Sequence, residues 1–231
     1  MSTPPETYFR KGLGLRAEVQ EDISADYAGA VVDAMRSRDF RLTIGDVTVR
    51  LAREFGFCYG VERAVEYAYQ SRRKFPDRRI FLVGEIIHNP HVNDRLARMG
   101  ILILAPHDRS ESEPRFDYRV VRTDDVVVLP AFGVTIRDFE ALRALGCIVV
   151  DTTCGSVLNV WKRVESYARD GLTALIHGKS YHEETRATAS QVRRFPEGHY
   201  LVVRDMDEAG LVCAYLRALG ADAVSASLGA A

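Results

Sequence analysis

The sequence has little of several features that would assign a protein to a specialised class. Its 231 residues carry 31 Lys and Arg against 32 Asp and Glu, so the formal net charge is −1. This balance gives no electrostatic reason to expect binding to nucleic acid or to an anionic membrane surface. No apolar run is long enough to span a bilayer, and the first residues, MSTPPETYFRKG, lack the apolar core of a secretory signal. We therefore expect a cytoplasmic protein with no membrane partner.

Cysteine is also scarce, with four residues in the chain: Cys58, Cys147, Cys154 and Cys213. Because they are few and scattered, they do not resemble a disulfide scaffold, and we expect free thiols, metal ligands or catalytic groups. The sequence contains no P-loop, no GxGxxG motif and no closely spaced CxxC pair. Zinc is disfavoured, because Cys and His do not occur in the close pairs that zinc sites use.

Short apolar runs rich in Val, Ile and Leu alternate with amphipathic segments through most of the chain. The predicted strands are Val47–Leu51, Ile80–Val83, Ile101–Leu104, Val126–Leu129, Ile148–Val150, Thr173–Ile176 and Tyr200–Val203. The clearest predicted helices are Val61–Arg73, Val92–Met99, Ile136–Leu145, Val157–Arg169 and Glu208–Leu219. Glycine stands where four of them should stop, at Gly100, Gly146, Gly171 and Gly220. The alternation predicts an α/β fold with parallel sheets.

Three segments are predicted along the chain. Residues 1–43 have the pattern of an N-terminal extension with one helix, at about Ala17 to Arg38. Residues 44–151 form a first α/β lobe and residues 152–231 a second. The boundary is expected near Asp151–Cys154, because one α/β unit closes there and another begins.

Two cysteines occupy positions where chemistry is plausible. Cys58 lies between two glycines in GFCYG, after a predicted strand and at the start of a helix, and Cys154 in DTTCGS has the same setting. A helix N-terminus stabilises a thiolate, and ligands of open α/β sheets bind beyond the carboxyl ends of strands. The alternative for each is a small buried thiol beside a turn. Cys147 begins a strand and is predicted to be structural, and Cys213 is predicted to lie in the core.

Polar residues follow two other predicted strands. His88 follows the strand that ends at Val83, and His182, Glu183 and Glu184 follow the strand that ends at Ile176. A histidine with a carboxylate can bind an anion and relay protons, whereas the simpler alternative is a charged surface loop. Candidates at several strand ends are stronger evidence than any one of them, because parallel topology places them on the same side.

Five motifs resemble those of one enzyme family. The segments FGFCYGVERAV, EIIHNPHVNDRL, LPAFG, VVDTTC and IHGKSYHEET are similar to those of 4-hydroxy-3-methylbut-2-enyl diphosphate reductase (the LytB family), the last enzyme of the non-mevalonate isoprenoid pathway. The resemblance runs from about Tyr8 to about Cys213, and TYFRKGLG and LPAFG resemble the cyanobacterial and plant branch. It implies a pseudo-symmetric fold of three α/β lobes around a central cavity.

The resemblance also implies roles for particular residues. Cys58 and Cys154 match two of three cysteine ligands of a [4Fe-4S] cluster, which leaves one iron open for substrate. His88 and His182 match histidines that contact the substrate diphosphate, and Glu184 matches the acid that delivers protons. The products would be isopentenyl and dimethylallyl diphosphate, and ferredoxin or flavodoxin would donate the electrons.

The chain departs from the family pattern in several places. Phe132 stands where many members carry a further diphosphate-binding histidine, Gly155 and Glu183 stand where proline is usual, and the third cysteine matches nothing in this chain. We therefore expect about two of three lobes, with the third absent, and weak or no activity for the chain alone. The alternatives are an inactive truncated fragment of the enzyme, a cysteine-nucleophile enzyme and a non-redox anion-binding module.

Overall fold

The computed structural model describes residues 7–107 and 114–228 of the chain. The strands are Tyr8–Phe9 (β1), Arg41–Ile44 (β2), Val47–Arg50 (β3), Ile80–Val83 (β4), Ile101–Leu104 (β5), Val126–Leu129 (β6), Ile148–Asp151 (β7), Thr173–His177 (β8) and His199–Val203 (β9). The helices are Arg16–Tyr27 (α1), Ala30–Arg36 (α2), Tyr59–Lys74 (α3), Pro90–Arg98 (α4), Ile136–Leu145 (α5), Gly155–Arg169 (α6), Glu183–Val192 (α7) and Met206–Leu228 (α8). The described residues divide into two compact units, the first with positions up to 133 and 137–156, the second with positions 134–136 and from 157 onward.

The first unit is built on a five-stranded sheet in the order β1-β7-β6-β4-β5, in which all neighbouring strands are parallel. Ile80 on β4 is in register with Ile101 on β5 and with Val126 on β6. β4, β6 and β7 are buried along their whole length. Strands covered on both faces have continuous apolar sequences instead of alternating ones, which is why the sequence identified them. The predicted α/β class with parallel sheets is confirmed.

Helices α3 and α4 pack their apolar stripes into the core of this sheet. Five of their side chains are at most 2% exposed and share one cluster with the strand residues: Ala64, Val65, Ala68, Val92 and Leu96. Burying a Val or Leu side chain contributes about 1.5–3 kcal/mol, so the cluster is a main source of stability for the unit. Gly100 follows α4 with φ +79°, a backbone conformation that glycine adopts at little cost.

The N-terminal segment differs from the predicted extension, because described residues before position 43 pack within the first unit. Tyr8 and Phe9 of β1 pair with β7, and α1 packs on α3 with Val19 buried. The predicted helix from Ala17 to Arg38 is two helices, since the chain is extended at Ala28 and Gly29. A two-residue strand is too short to leave a periodic signal in the sequence.

The segment Val47–Leu51 is wrongly predicted as a buried parallel strand. β3 pairs antiparallel with β2, all four of its residues are exposed, and Gly45 turns the hairpin with φ +57°. A short apolar run has the same pattern whichever strand it pairs with, and tertiary contacts decide the partner.

The second unit contains a parallel pair, β8 and β9, in register from Thr173 with His199 to His177 with Val203. Its core gathers residues from α6, β8 and α7: Val164, Ala168, Ala174 and Val192. Trp161 on α6 donates from Nε1 to Oγ1 of Thr188 on α7 at 3.2 Å.

Helix α8 continues beyond Gly220, where the sequence predicted its end. Cys213 on this helix is exposed, so the prediction that it lies in the core is wrong. Among the described residues, no helix combines the length and the apolar character that crossing a membrane requires.

Candidate functional site: a cysteine pair and two histidine loops

Three neighbouring strands of the first sheet end in loops that are bonded to one another. His88 follows β4, Phe132 follows β6 and Cys154 follows β7. The backbone N–H of Ala131 donates to the carbonyl of Ile86 at 3.1 Å, and the N–H of Cys154 donates to the carbonyl of Ala131 at 2.9 Å. These hydrogen bonds join the loops at the carboxyl end of the sheet, so the predicted residues His88 and Cys154 lie in loops that are linked through Ala131.

The loop that carries Cys154 is organised by Asp151, a buried residue. One carboxylate oxygen accepts from the backbone N–H of Thr153 at 3.0 Å and from its hydroxyl at 2.5 Å. The other accepts from the Tyr8 hydroxyl at 2.6 Å, with Arg10 Nε at 3.9 Å. Burial and the hydrogen bond to this carboxylate raise the pKa of Tyr8. Tyr8 in the N-terminal segment thus positions the Asp151 carboxylate, and that carboxylate positions Thr153, the residue before Cys154.

The two predicted cluster cysteines both lie at the first turn of α3. Cys58 is the N-cap of this helix, with φ −69° and ψ 161°, and its thiol is exposed. A β-carbon on Gly60 would overlap the Cys154 sulfur and lie 3.0 Å from Cys154 Cβ. The Cys154 sulfur therefore lies against the first turn of the helix that starts after Cys58. Arg63, one turn further on, donates from Nη2 to the carbonyl of Thr153 at 2.7 Å and ties the loop to α3.

The strand that precedes Cys58 is not the kind of strand that the sequence predicted. This strand, β3, belongs to the exposed hairpin and not to the parallel sheet, so the argument from strand ends holds for Cys154 but not for Cys58. What remains of the prediction is the position of Cys58 at a helix N-terminus.

The other two cysteines belong to other elements of the structure. Cys147 is buried directly before β7, and its sulfur donates to the carbonyl of Leu142 at 3.6 Å. Burial raises the pKa of this thiol to about 11. It is a structural thiol, as predicted, whereas Cys213 lies in the second unit. Across residues 7–107 and 114–228, no group of three or more His, Cys, Asp or Glu side chains could hold a metal ion.

The His88 imidazole is fixed from two sides. Its Nδ1 lies 2.8 Å from a carboxylate oxygen of Glu85, and its ring stacks on Phe132 with centroids 4.5 Å apart and an angle of 23°. The buried Asn93 holds the backbone of residues 86–87, accepting from one N–H at 3.1 Å and donating to one carbonyl at 2.9 Å. Phe132, which stands at a histidine position of the family pattern, thus packs on the neighbouring histidine.

His182 and Glu184 lie in the second unit, where β8 leads to α7. His182 is the N-cap of α7, and its Nδ1 accepts from the backbone N–H of Glu184 at 3.2 Å. In the neutral imidazole the proton is then on Nε2, which makes Nε2 a hydrogen-bond donor. Glu184 is half-buried in the first helical turn.

Some residues of the site were missed by sequence reasoning: Tyr8, Gly60, Arg63 and Asp151. Only Gly60 left a signal, as the second glycine flanking Cys58. The others act through contacts between segments far apart in the chain, which a local pattern does not record.

The fold and the site define an α/β protein with two thiols at the first turn of α3. Residues 49–221 match the family model described as LytB protein, so the chain belongs to the LytB family, and the resemblance seen in the sequence is confirmed.

Curated relatives agree with this assignment. The 4-hydroxy-3-methylbut-2-enyl diphosphate reductase of Gloeobacter violaceus is 46% identical over 211 residues, which cover 91% of this chain and 49% of that protein. The protein of the same name from Gloeothece citriformis is 44% identical, over 91% of this chain and 50% of that protein. The chain spans about half the length of the curated relatives it matches.

Solved structures give the same result. A structure described as (E)-4-hydroxy-3-methyl-but-2-enyl diphosphate reductase, the terminal enzyme of the non-mevalonate pathway, matches with a TM-score of 0.54 and 31% identity. The match covers 69% of this chain and 52% of that one. The E-1-hydroxy-2-methyl-but-2-enyl-4-diphosphate reductase from Plasmodium falciparum has a TM-score of 0.57 at 22% identity, over 68% and 44% of the two chains, and supports the fold alone.

Proposed function

We propose that this chain carries part of the active site of a 4-hydroxy-3-methylbut-2-enyl diphosphate reductase, the last enzyme of the non-mevalonate isoprenoid pathway. The reaction takes up two electrons and two protons, one proton leaving with the substrate hydroxyl as water and the other ending on carbon, and yields isopentenyl or dimethylallyl diphosphate. A ferredoxin or flavodoxin would donate the electrons. The observation that carries the proposal is the Cys154 sulfur lying against the helix that begins after Cys58, in a chain of the LytB family.

Cys58 and Cys154 would hold a [4Fe-4S] cluster as two of its thiolate ligands. Three features fit this role: Cys58 is exposed, Cys154 is half-buried, and the absence of a side chain at Gly60 lets the Cys154 sulfur lie against α3. Soft thiolates are the usual ligands of iron–sulfur clusters, and the α3 N-terminus offsets part of their negative charge. When bound, such a cluster supplies electrons and a Lewis-acidic iron.

The diphosphate would be bound by His88 and His182. Hydrogen bonds from imidazole donors to phosphate oxygens are strengthened by the charge of the acceptor. The bond from the Glu184 N–H to Nδ1 of His182 leaves Nε2 as the donor atom of that ring. For His88, the Glu85 carboxylate and the Phe132 ring limit the orientations of the imidazole.

Glu184 would supply the proton that allows the hydroxyl to leave as water. A positioned carboxylic acid contributes about 10²–10⁴-fold to such proton transfers. Its backbone N–H is bonded to the His182 ring, so the proton donor and a diphosphate ligand share one helix start.

Cofactor binding by the cysteine pair can be tested on the chain itself. The protein would be reconstituted anaerobically with iron and sulfide, and bound iron and visible absorbance measured. We expect Cys58→Ser and Cys154→Ser to abolish most of the iron bound by the parent chain. Cys213→Ser is the matched control, since this exposed thiol lies in the second unit. Unchanged iron content in both site variants would contradict the proposal.

Substrate binding and turnover distinguish the alternatives. His88→Ala and His182→Ala should each weaken inorganic diphosphate binding by roughly 10- to 100-fold, the equivalent of one hydrogen bond to a charged group. His199→Ala, at the amino end of β9, is the control. Iron and diphosphate binding without turnover would indicate a fragment of the enzyme, and diphosphate binding without iron an anion-binding module. An alkylation-sensitive activity without iron would indicate a cysteine nucleophile.

A further inference from the structure

Gly60 stands at a position where backbone conformation does not require glycine. It is the second residue of α3, it is buried, and its φ lies outside the left-handed region that favours glycine. In a helix, alanine is more stable than glycine by up to about 1 kcal/mol. Something other than helix geometry therefore accounts for a glycine here, and the contact with Cys154 is the feature that an added side chain would disturb.

We propose that Gly60 is a positioning residue for Cys154, and that its missing side chain lets the Cys154 sulfur lie against the first turn of α3, beside Cys58. This inference deepens the proposed function and rests on its thiol pair. Gly60 contributes no atom to the chemistry; its effect is on where the Cys154 sulfur is held.

The space beside Gly60 is occupied by atoms that have little freedom to retreat. A β-carbon there would overlap Cys154 Sγ and come within 3.0 Å of Cys154 Cβ. The Cys154 backbone is braced, because its N–H donates to Ala131 and the carbonyl before it accepts from Arg63. Rotation of the Cys154 side chain about χ1 removes the overlap with the sulfur, since staggered rotamers are separate wells, and the 3.0 Å contact with Cβ needs a shift of only a few tenths of an ångström. Alanine at position 60 should thus move the sulfur and leave the helix intact.

Gly155 offers a matched control at the start of α6. It directly follows Cys154, yet a β-carbon on Gly155 would meet nothing within 4 Å. Gly60→Ala and Gly155→Ala therefore make the same chemical change in the first turn of a helix, and only the first brings the new methyl group onto the Cys154 sulfur.

Cobalt(II) provides a readout that does not depend on an iron–sulfur cluster. Thiolate ligation of cobalt gives a near-ultraviolet charge-transfer band whose intensity rises with the number of thiolates bound. We expect the 231-residue chain and Gly155→Ala to give equal bands. Gly60→Ala should give about half that intensity per bound cobalt, like Cys154→Ser, because one of two soft ligands is lost. Urea unfolding should show that Gly60→Ala is at least as stable as the parent chain.

Two results of the cobalt measurement would overturn the inference. One is a Gly60→Ala band equal to that of Gly155→Ala, and the other is a parent chain that ligates cobalt through only one of these thiols. If Gly60→Ala is destabilised instead, the same substitution is made in a Cys154→Gly background, which lacks both of the contacted atoms. In that background Gly60→Ala should not lower the urea midpoint. An equal loss of stability in both backgrounds would refute the contact.

The same measurements separate this inference from the function proposed above. If the parent chain assembles no iron–sulfur cluster but its cobalt band is halved by Gly60→Ala, the proposed cofactor is wrong and the positioning role stands. If a cluster assembles equally well in Gly60→Ala, with an unchanged cobalt band, the positioning role is wrong and the proposed function is untouched.

Discussion

The hydrogen bond from Tyr8 to Asp151 makes a prediction about how the N-terminal segment stabilises the first unit. Tyr8→Phe removes only the hydroxyl that donates to Asp151 Oδ2 at 2.6 Å. The Asp151 side chain is 8% exposed, and Arg10 Nε, which pairs with it, is 3.9 Å away on a 45% exposed side chain. A partly exposed ion pair at that distance compensates little. A hydrogen bond to a charged group contributes about 1.5–3 kcal/mol, and the variant should lose stability in that range.

Urea unfolding followed by circular dichroism measures this loss. With a dependence of about 1–3 kcal/mol per molar urea, a loss of about 2 kcal/mol lowers the midpoint by roughly 1 M. Tyr59→Phe is the matched control, because it removes the same hydroxyl from a residue that is 77% exposed. Fluorescence of Trp161, the single tryptophan, reports on the second unit separately. Equal midpoints for Tyr8→Phe and Tyr59→Phe would refute the role assigned to the Asp151 network.

Two further predictions concern the core of each unit. Burial raises the pKa of Cys147 to about 11 from an ordinary value of 9.0, so the folded state favours the neutral thiol. Its contribution to the free energy of unfolding is complete below pH 9 and is lost as the pH rises from about 9 to about 11, by about 1.4 kcal/mol per pH unit. Cys147→Ala should lack this loss when urea midpoints are measured across that pH range. An identical pH dependence in the variant and the parent chain would contradict the assignment. Thr188→Val removes the acceptor of the Trp161 N–H and should lower the second unit's stability by about 1 kcal/mol, measured by Trp161 fluorescence during urea unfolding. An unchanged midpoint would show that this bond contributes nothing net.

Much of the first unit was predictable because burial on both faces leaves a strong sequence pattern. The runs Ile80–Val83 and Val126–Leu129 are strands with the predicted bounds, and Ile136–Leu145 is a helix with the predicted bounds. The hairpin of β2 and β3 was not predictable, because the apolar run at Val47 does not specify its partner.

The candidate site also has features that the sequence predicted and features that it did not. The sequence by itself determined the family, the thiol and histidine candidates, and the positions of His88, Cys154 and His182 after strands, because these depend on local order along the chain. Tertiary structure alone decided that the Cys154 sulfur lies against Gly60 and that Tyr8 holds Asp151. The physical reason is that both contacts join segments far apart in the chain, and their energies depend on atoms that only the folded sheet brings within bonding distance.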